Sequence, residues 1–358
     1  MGLTYKNKKI IVAPLNWGLG HSTRCIPIIN ALIEEGFTPI IASDGAALKL
    51  LQKEFPELKS YRLPSYNIKY TKKGTRLKYR MLYDSLRIIK SVKREKSIIE
   101  KIVNKEGVIG IISDNRFGVR CKNVPSIYMT HQMNVFSGNT TFLTTLLHQK
   151  VISKFDGCWI PDYNDDSSLA GILSDVNSSN IDIKYIGALS RFTYREVPKK
   201  LNLLILLSGP EPQRTILEKI IFDELKEYDK KVLIVRGIIS DKQEITRIKN
   251  IKIINYMLKE ELENSINESE FILARSGYST IMDLEKLKAK AFFIPTPGQF
   301  EQEYLAKHLE QKKIAPYSNQ QDFKINMLEK INDYSGFKIK HKSYRVDFKT
   351  LFNHEFSK

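Results

Sequence analysis

The sequence predicts an α/β fold made of two doubly wound, Rossmann-like domains that face each other across a cleft. In both halves of the chain, short apolar runs that suit buried strands alternate with segments of helical periodicity. The polar, proline-bearing segment Glu196–Lys200 separates the halves and has the composition of a linker. With 358 residues to divide, we expect a first domain over residues 1–195 and a second over 201–340.

Composition favours a globular cytoplasmic protein. Apolar residues make up 42% of the chain and aromatic residues 10%, as in folded domains. No run approaches the roughly 18 apolar residues needed to cross a bilayer, and Ile10–Leu15 is too short for the core of a signal peptide. Cys25, Cys121 and Cys158 are odd in number and lack metal-ligand spacing, which agrees with a reducing compartment and argues against a zinc site.

The net charge of +17 indicates an anionic partner or a compositional bias. Nucleic acid, acidic lipid headgroups and phosphorylated substrates would all suit such a surface. A genome with biased base composition would also give a chain rich in Lys, Ile and Asn, without any partner.

The first half shows the strand–helix rhythm of a doubly wound sheet. Between its first strand and first helix lies the loop Asn16–Arg24, where Gly18 and Gly20 permit a tight turn against a ligand. The third glycine of the dinucleotide fingerprint is absent, so the loop alone is a weak signal. Seven strands are predicted in this half, at Ile10–Leu15, Thr38–Ser43, Leu58–Leu63, Val108–Ser113, Ser126–Met129, Cys158–Ile160 and Lys184–Ile186.

The segment Tyr66–Glu106 departs from this rhythm. It holds thirteen Lys or Arg against four Asp or Glu, with Tyr66, Tyr70, Tyr79 and Tyr83 interleaved and apolar residues at helical spacing. One interpretation is a long helix that packs on the sheet with its charged face in solvent. The other is a surface for an acidic membrane, because tyrosines suit the interface and basic residues meet anionic headgroups.

The second half centres on Phe271–Ala306, which contains two consecutive strand–loop–helix units. If both strands are parallel, both helix N-termini lie at the carboxyl edge of the sheet, where open α/β sheets bind ligands. Helix N-termini favour anions, Arg275 adds a fixed charge, and Gly277 permits close approach of a ligand. The alternative is that Ser276 caps a helix, Asp283 is solvated and Glu301 complements a helix dipole. Strands are predicted at Leu201–Leu207, Lys231–Val235, Ile251–Ile254, Phe271–Ala274, Ala291–Ile294 and Ile314–Tyr317.

Together these motifs resemble GT-B glycosyltransferases of family 28, the group that contains the N-acetylglucosaminyltransferase of lipid II synthesis and the plastid galactolipid synthases. The matching pieces are Arg275-Ser276-Gly277, Ser279-Thr280 with Asp283, and the Pro-rich loop that leads to Gln299–Gln302. The acid at Asp283 is a Glu more often in the family, and the Glu301-Gln302 pair replaces Gln-Gln.

The resemblance implies a GT-B fold whose tail helix, from about residue 347 to 358, crosses back onto the first domain. It implies phosphate contacts from Arg191, Arg275 and the loop after Leu207. Backbone near Tyr256 would contact the nucleotide base, Asp283 the ribose, and the Glu301-Gln302 pair the donor sugar. The donor-binding residues expected in this way are Gly20, Arg191, Ser208, Gly209, Tyr256, Met257, Arg275, Ser276, Gly277, Thr280, Asp283, Glu301 and Gln302. Trp17, His131 and Asn134 would contact the acceptor.

The catalytic base is expected in the first domain. His21 follows the Gly-rich loop, and an imidazole titrates near neutrality, which suits removal of a hydroxyl proton. Asp114, at the end of another strand, would orient the ring. A structural hydrogen bond within the loop is the alternative role for His21.

The expected activity is inverting transfer of a hexose or N-acetylhexosamine from a UDP-sugar to a lipid-linked or cell-envelope hydroxyl, on the cytoplasmic face of an anionic membrane. No Asp-x-Asp occurs, which fits a metal-free mechanism with UDP-sugar as the sole co-substrate and no other cofactor. A nucleic-acid partner is not expected. The alternatives are a nucleotide-sugar 2-epimerase of the same fold and a non-catalytic protein that binds anionic ligands. Acceptor, donor sugar and oligomeric state are left open.

Overall fold

The structure, a computed structural model, describes residues 8–66, 77–176, 181–238, 240–337 and 346–356, and for residues 77–86 the backbone only. It contains two largely parallel sheets with helices around them, which confirms the predicted fold class.

The first sheet has seven parallel strands in the order β3-β2-β1-β4-β5-β6-β7. Its apolar strands are buried almost throughout, as expected for a sheet covered by helices on both faces. The elements of this half are β1 (Lys9–Pro14), α1 (Gly20–Glu34), β2 (Thr38–Ser43), α2 (Gly45–Glu54), β3 (Ser60–Arg62), α3 (Leu77–Glu106), β4 (Val108–Asp114), β5 (Ser126–Met129), α4 (Thr141–Ile152), β6 (Gly157–Ile160) and β7 (Ile183–Tyr185).

The second sheet has six strands in the order β10-β11-β9-β8-β12-β13. Only the edge strand β10, which the sequence did not suggest, is antiparallel among the described strands. The predicted strand at Ile314–Tyr317 is wrong, because Tyr317 forms just an isolated bridge with Phe293. The elements are β8 (Leu201–Leu206), α5 (Gln213–Glu224), β9 (Val232–Val235), β10 (Ile245–Ile248), β11 (Ile251–Ile254), α6 (Lys259–Asn267), β12 (Ser269–Ala274), α7 (Tyr278–Lys286), β13 (Ala291–Phe293) and α8 (Phe300–Gln311).

The last helix, α9 (Phe348–Phe356), packs against the first sheet. Its Phe356 ring occupies the space beside Gly110, where a Cβ would lie 2.3 Å from the ring. Lys184 of β7 donates a hydrogen bond of 2.5 Å to Glu355, and the Phe352 and Trp159 rings lie tilted to each other with centroids 6.1 Å apart. The tail is thus joined to the half of the chain that is most distant in sequence.

The long helix α3 packs on the first sheet through Ile99, Ile102 and Val103, which are buried beside β4. Tyr66, expected at a membrane interface, is instead buried, and its hydroxyl donates to Glu95 at 2.6 Å. Residues 67–76 and the side chains of 77–86, which include Tyr70, Tyr79 and Tyr83, lie outside the described part of the chain. In the described helices, none has the length and apolarity required to traverse a bilayer.

The two halves pack directly on each other. One buried apolar cluster contains residues of both, including Met129 and Leu169 from the first half and Tyr278 and Met282 from the second. The Tyr278 hydroxyl donates to the carbonyl of Pro161 at 2.8 Å. This packing brings the carboxyl edges of the two sheets together, and the residues that follow their strands form the site.

Candidate active site

His21 lies in the first turn of α1, where its ring faces the end of β4. Its Nδ1 is 3.1 Å from Asp114 Oδ1, and the side chains are 13% and 0% exposed. Burial alone would raise the pKa of Asp114, but the charge of Arg24 and the hydrogen bonds at the carboxylate outweigh it and lower that pKa. The contact crosses from the Gly-rich loop to another strand, so it is not the local loop bond considered as the alternative.

Arg24, which the sequence analysis did not single out, holds Asp114 in place. Its Nε donates to Oδ2 at 2.7 Å and its Nη2 to Oδ1, a bidentate pair in a 2% exposed side chain. The sequence did contain an indication of this position, because Arg24 stands one helical turn after His21 and therefore lies on the same face of α1. The carboxylate is thereby fixed and remains ionised.

His131 links this group to the second domain. Its Nδ1 accepts from Arg24 Nη1 at 3.1 Å, and its Nε2 lies 2.8 Å from Glu301 Oε1. Burial lowers the pKa of His131. Burial would raise the pKa of Glu301, but the hydrogen bond from His131 lowers it overall. Gln132 also donates to Glu301. His131 and Glu301, two predicted site residues from the two sides of the site, are thus in direct contact.

The N-termini of α1 and α7 meet across the domain boundary. A Cβ on Gly20 would lie 2.6 Å from Ser279 Oγ, so the absent side chain at Gly20 allows this approach. Within the described residues no side chain caps α7, and a Cβ on Gly277 would face open space. Thr280 lies half-buried on the first turn. The free N–H groups of that turn provide a site for an anion.

Asp283 is partly buried one turn further along α7. Its Oδ1 accepts from Ser190 Oγ at 2.6 Å, a contact with the segment that joins the domains. Burial raises the pKa of Asp283 to about 6, despite the opposing effects of Ser190 and Arg191. It is therefore neither fully solvated nor paired with a cation at hydrogen-bond distance among the described residues.

Arg275 and Ser276 are used for internal contacts. The Arg275 guanidinium donates to the carbonyls of Ile294, Pro295 and Gln213 and to Gln320 Oε1, at 2.5–3.1 Å. Burial lowers the pKa of Arg275 to about 10. Ser276 Oγ donates to the Gln302 carbonyl at 2.7 Å, so Ser276 does not cap α7 as the alternative interpretation had it. Arg275 directly follows β12, so its guanidinium adds positive potential near the carboxyl edge of the second sheet.

The remaining predicted phosphate contacts lie in two places. Arg191 Nη1 donates to Glu54 at 3.0 Å, while its buried Nε has no partner among the described residues. Ser208 and Gly209 are exposed, and Gly209 has a φ of +102°, which favours glycine. A Cβ there would be 3.3 Å from the buried hydroxyl of Thr296, another atom without a partner in the described chain.

Tyr256 and Met257, predicted to contact the nucleotide base, and Gln302, predicted to contact the sugar, form hydrogen bonds within the protein. The Tyr256 carbonyl accepts from Gln243 at 3.0 Å, and Met257 Sδ accepts from Ser265 Oγ at 3.6 Å. Gln302 Oε1 accepts from the Thr296 amide at 2.9 Å. These bonds shape the loops around the sheet edge.

The three predicted acceptor residues differ in exposure and in bonding. Trp17 is 40% exposed on the Gly-rich loop, and His131 is buried, stacked on Tyr278 with ring centroids 4.1 Å apart. Asn134 donates to the carbonyls of Ile172 and Asp175 at 2.7 and 3.0 Å. Trp17 therefore has the most accessible side chain of the three. In the parts of the chain that are described, no group of three or more His, Cys, Asp or Glu could hold a metal ion.

Comparisons with known proteins agree with this architecture. Residues 211–340 match the model of the glycosyltransferase family 28 C-terminal domain. An uncharacterised glycosyltransferase of Methanosarcina acetivorans is 21% identical, over 93% of this chain and 92% of its own. Among solved structures, the glycotransferase of kitacinnamycin has a TM-score of 0.67 at 10% identity, covering 98% and 99% of the two chains. The MurG protein of Acinetobacter baumannii has a TM-score of 0.53 at 13% identity, covering 91% and 89%.

Proposed function

Because this chain is a glycosyltransferase of the GT-B type with a family 28 C-terminal domain, we propose that it transfers a sugar from UDP to a hydroxyl of a lipid-linked acceptor, with inversion at the anomeric carbon. The donor is a UDP-hexose or UDP-N-acetylhexosamine. Transfer needs no metal ion, since positive potential at the sheet edge would stabilise the leaving UDP.

The observation that carries this proposal is the His21–Asp114 pair opposite the uncapped N-terminus of α7. The pair can accept the proton of an attacking hydroxyl, while the free N–H groups of α7 can bind the diphosphate that leaves. Base and leaving-group site come from different domains on facing sheet edges. Attack from the first domain on a donor held by the second places nucleophile and leaving group on opposite sides of the sugar.

A lipid-linked acceptor is supported by the outer face of α4. Phe142, Leu143, Leu146 and Leu147 are 47–78% exposed along it. The Phe117 ring contacts both His148 of α4 and the Tyr66 ring. The Tyr66 hydroxyl donates to Glu95 of α3, so the basic helix α3 is a close neighbour of α4. An apolar face beside a basic helix suits the cytoplasmic face of an anionic membrane.

A pocket next to α4 gives an acceptor chain a path toward the site. It has a volume of about 480 Å³, opens between the domains, and is lined by Thr141 of α4 and by Phe300 and Tyr304 of α8. Phe300 directly precedes Glu301. An apolar chain that leaves the membrane at α4 would therefore reach the neighbourhood of the sugar-binding residues.

The test is transfer from a panel of radiolabelled UDP-, GDP- and TDP-sugars to a membrane lipid extract, with and without EDTA. We expect incorporation from a UDP-sugar, unchanged by EDTA, and a β-glycoside from an α-linked donor. Release of an epimerised sugar in the absence of lipid would instead support the epimerase. Loss of transfer with EDTA would contradict the metal-independent mechanism.

Vesicle binding tests the lipid surface separately. Leu143→Asp with Leu147→Asp should reduce binding to vesicles rich in phosphatidylserine several-fold, because two exposed apolar contacts are lost. Ile245→Asp, at a 53% exposed position of β10 in the other domain, is the matched control and should bind normally. If native protein does not bind such vesicles at low salt, a soluble acceptor is the better proposal.

A further inference from the structure

We propose that Asn16 is a positioning residue, which anchors the Gly-rich loop to the N-terminus of α2 and thereby holds Trp17 in place for the acceptor. The role of Trp17 as an acceptor contact rests on the proposed function. The anchor itself is a pair of hydrogen bonds that join Asn16 to Asp44 and Ala47. It can be tested without any substrate.

Both polar atoms of the Asn16 side chain are used in this anchor. Its Nδ2 donates to Asp44 Oδ2 at 3.2 Å, and its Oδ1 accepts from the Ala47 N–H at 3.3 Å. Asp44 occupies the N-cap position of α2, but its side chain forms no capping hydrogen bond within the described chain. Asn16 therefore supplies, from a different loop, the acceptor that an N-cap residue normally gives to the third helical residue.

Gly45 provides the space for the Asn16 amide. A Cβ on Gly45 would lie 2.1 Å from Asn16 Nδ2, so a side chain at this position would displace the amide. Gly45 also has a φ of +54°, a conformation that glycine adopts without strain. Asp44 and Gly45 thus form a socket that admits the amide on both steric and hydrogen-bonding grounds.

The Asp44 carboxylate is itself held by Arg116. Arg116 Nη1 donates to Asp44 Oδ1 at 2.6 Å, while Asn16 donates to the other carboxylate oxygen. The Arg116 side chain is fully buried, and its Nε donates to Glu95 Oε1 of α3 at 2.5 Å. Because each oxygen of Asp44 has its own donor and its charge is paired, the socket has one preferred geometry.

The anchor acts on the exposed part of the loop. Asn16 directly precedes Trp17, which is 40% exposed, and Gly18 follows with a φ of +75° and open space where its Cβ would lie. A segment with this conformational freedom needs a side-chain contact to take one position. Loss of the anchor should therefore loosen Trp17, while the contact between His21 and Asp114 is kept because it joins α1 to β4.

The test is acrylamide quenching of tryptophan fluorescence in the full-length protein. The chain has two tryptophans, and Trp159 is fully buried, so quenching reports mainly on Trp17. Asn16→Asp replaces the donor with a second carboxylate against Asp44. It should raise the quenching constant about twofold, because a side chain that is 40% exposed can at most become fully exposed.

Two further variants make the quenching result specific. The exchange Asn16→Asp with Asp44→Asn places an amide opposite a carboxylate again, so it should return the quenching constant to the wild-type value. Asn104→Asp, at an exposed position of α3, makes the same chemical change away from the loop and should have no effect.

Kinetics separate loss of positioning from general damage to the fold. Asn16→Asp should raise the KM for the acceptor about tenfold, because acceptor binding must then order the loop. The kcat at saturating acceptor and the affinity for UDP should stay at the wild-type level, and the exchange variant should restore KM. A fall in kcat and in UDP affinity with an unchanged KM would mean that Asn16 has a structural role only.

An unchanged quenching constant in folded Asn16→Asp, or failure of the exchange to restore it, would overturn the inference. If Asn16→Asp does not fold, Asn16→Ala removes the amide without adding charge, and an unchanged quenching constant in that variant would overturn it equally. Failure of the proposed function would appear instead as absent turnover in the wild type, together with the expected quenching results.

Discussion

The two sides of the domain boundary use their polar side chains differently. On the first domain, His21, Asp114 and Arg24 bond to one another through side-chain atoms. On the second, Arg275 and Ser276 bond mainly to backbone carbonyls of neighbouring loops. The first arrangement keeps the Asp114 carboxylate ionised and in contact with His21. The second fixes loop shape and leaves helix N–H groups for a ligand.

This difference suggests a division of labour, with proton transfer on the first domain and donor binding on the second. Glu301 is the exception, because it belongs to the second domain but pairs with His131 of the first.

His21→Ala should have the largest effect. Loss of a general base lowers kcat by about 10²–10⁴-fold, while the affinity for UDP should stay unchanged because the donor lies on the other domain. Steady-state kinetics and calorimetry measure the two quantities. His354→Ala, at a largely exposed histidine of α9, is the control. Near-normal turnover would pass the role of base to another residue.

Arg275→Ala should destabilise the fold as well as weaken UDP binding. Four buried oxygen acceptors lose their donor, which costs about 2–3 kcal/mol of unfolding free energy. Urea denaturation measures this loss. Arg195→Ala, which breaks a half-exposed pair with Glu263, should cost less than about 1 kcal/mol. Full stability of Arg275→Ala with weak UDP binding would make Arg275 a direct ligand instead.

Glu301→Gln should lower kcat/KM for the donor about tenfold. The amide keeps the size of the side chain but loses the charge that pairs with His131. Glu303→Gln, two residues along α8 and exposed, is the control and should leave kcat/KM within twofold. An equal effect of both changes would mean that α8 responds to general charge rather than to this bridge.

Asp283→Asn should stabilise the protein at alkaline pH. Because burial raises the pKa of Asp283 to about 6 from an ordinary value near 4, the folded state binds the proton more tightly than the unfolded state. The resulting stability is present below about pH 4 and is lost as pH rises through 6. The variant should therefore gain about 1–2 kcal/mol at pH 8 and little at pH 4. Asp166→Asn, on an exposed loop, should show no such pH dependence.

Much of the fold could be predicted because apolar strands of four to seven residues alternate with helical segments. Thr38–Ser43, Ser126–Met129 and Ile251–Ile254 begin and end as predicted. Ile314–Tyr317 has the same apolar pattern, but it meets β13 at one bridge only, since strand pairing depends on tertiary neighbours. The edge strand β10 is exposed along its length and lacks the apolar signal of a buried strand.

The site was less accessible to sequence reasoning. The proximity of His21 to Asp114 follows from two parallel strands that end at the same sheet edge. The spacing of His21 and Arg24 predicts a shared helix face, but the bonds from Arg24 to Asp114 depend on side-chain directions. The internal bonds of Arg275 depend on them as well. Tyr66 illustrates the limit, because a tyrosine in a basic segment suits a membrane interface as well as it suits a buried bond to Glu95.

The measurement that tests the division of labour most directly is calorimetric titration of UDP into two isosteric variants, Asp114→Asn and Asp283→Asn. Each removes one carboxylate charge, on the first and second domain respectively. We expect Asp114→Asn to bind UDP like the wild type and Asp283→Asn to bind at least tenfold more weakly, as loss of a charged hydrogen bond costs about 1.5–3 kcal/mol. Weaker UDP binding by Asp114→Asn, together with normal UDP binding by Asp283→Asn, would contradict this division of labour.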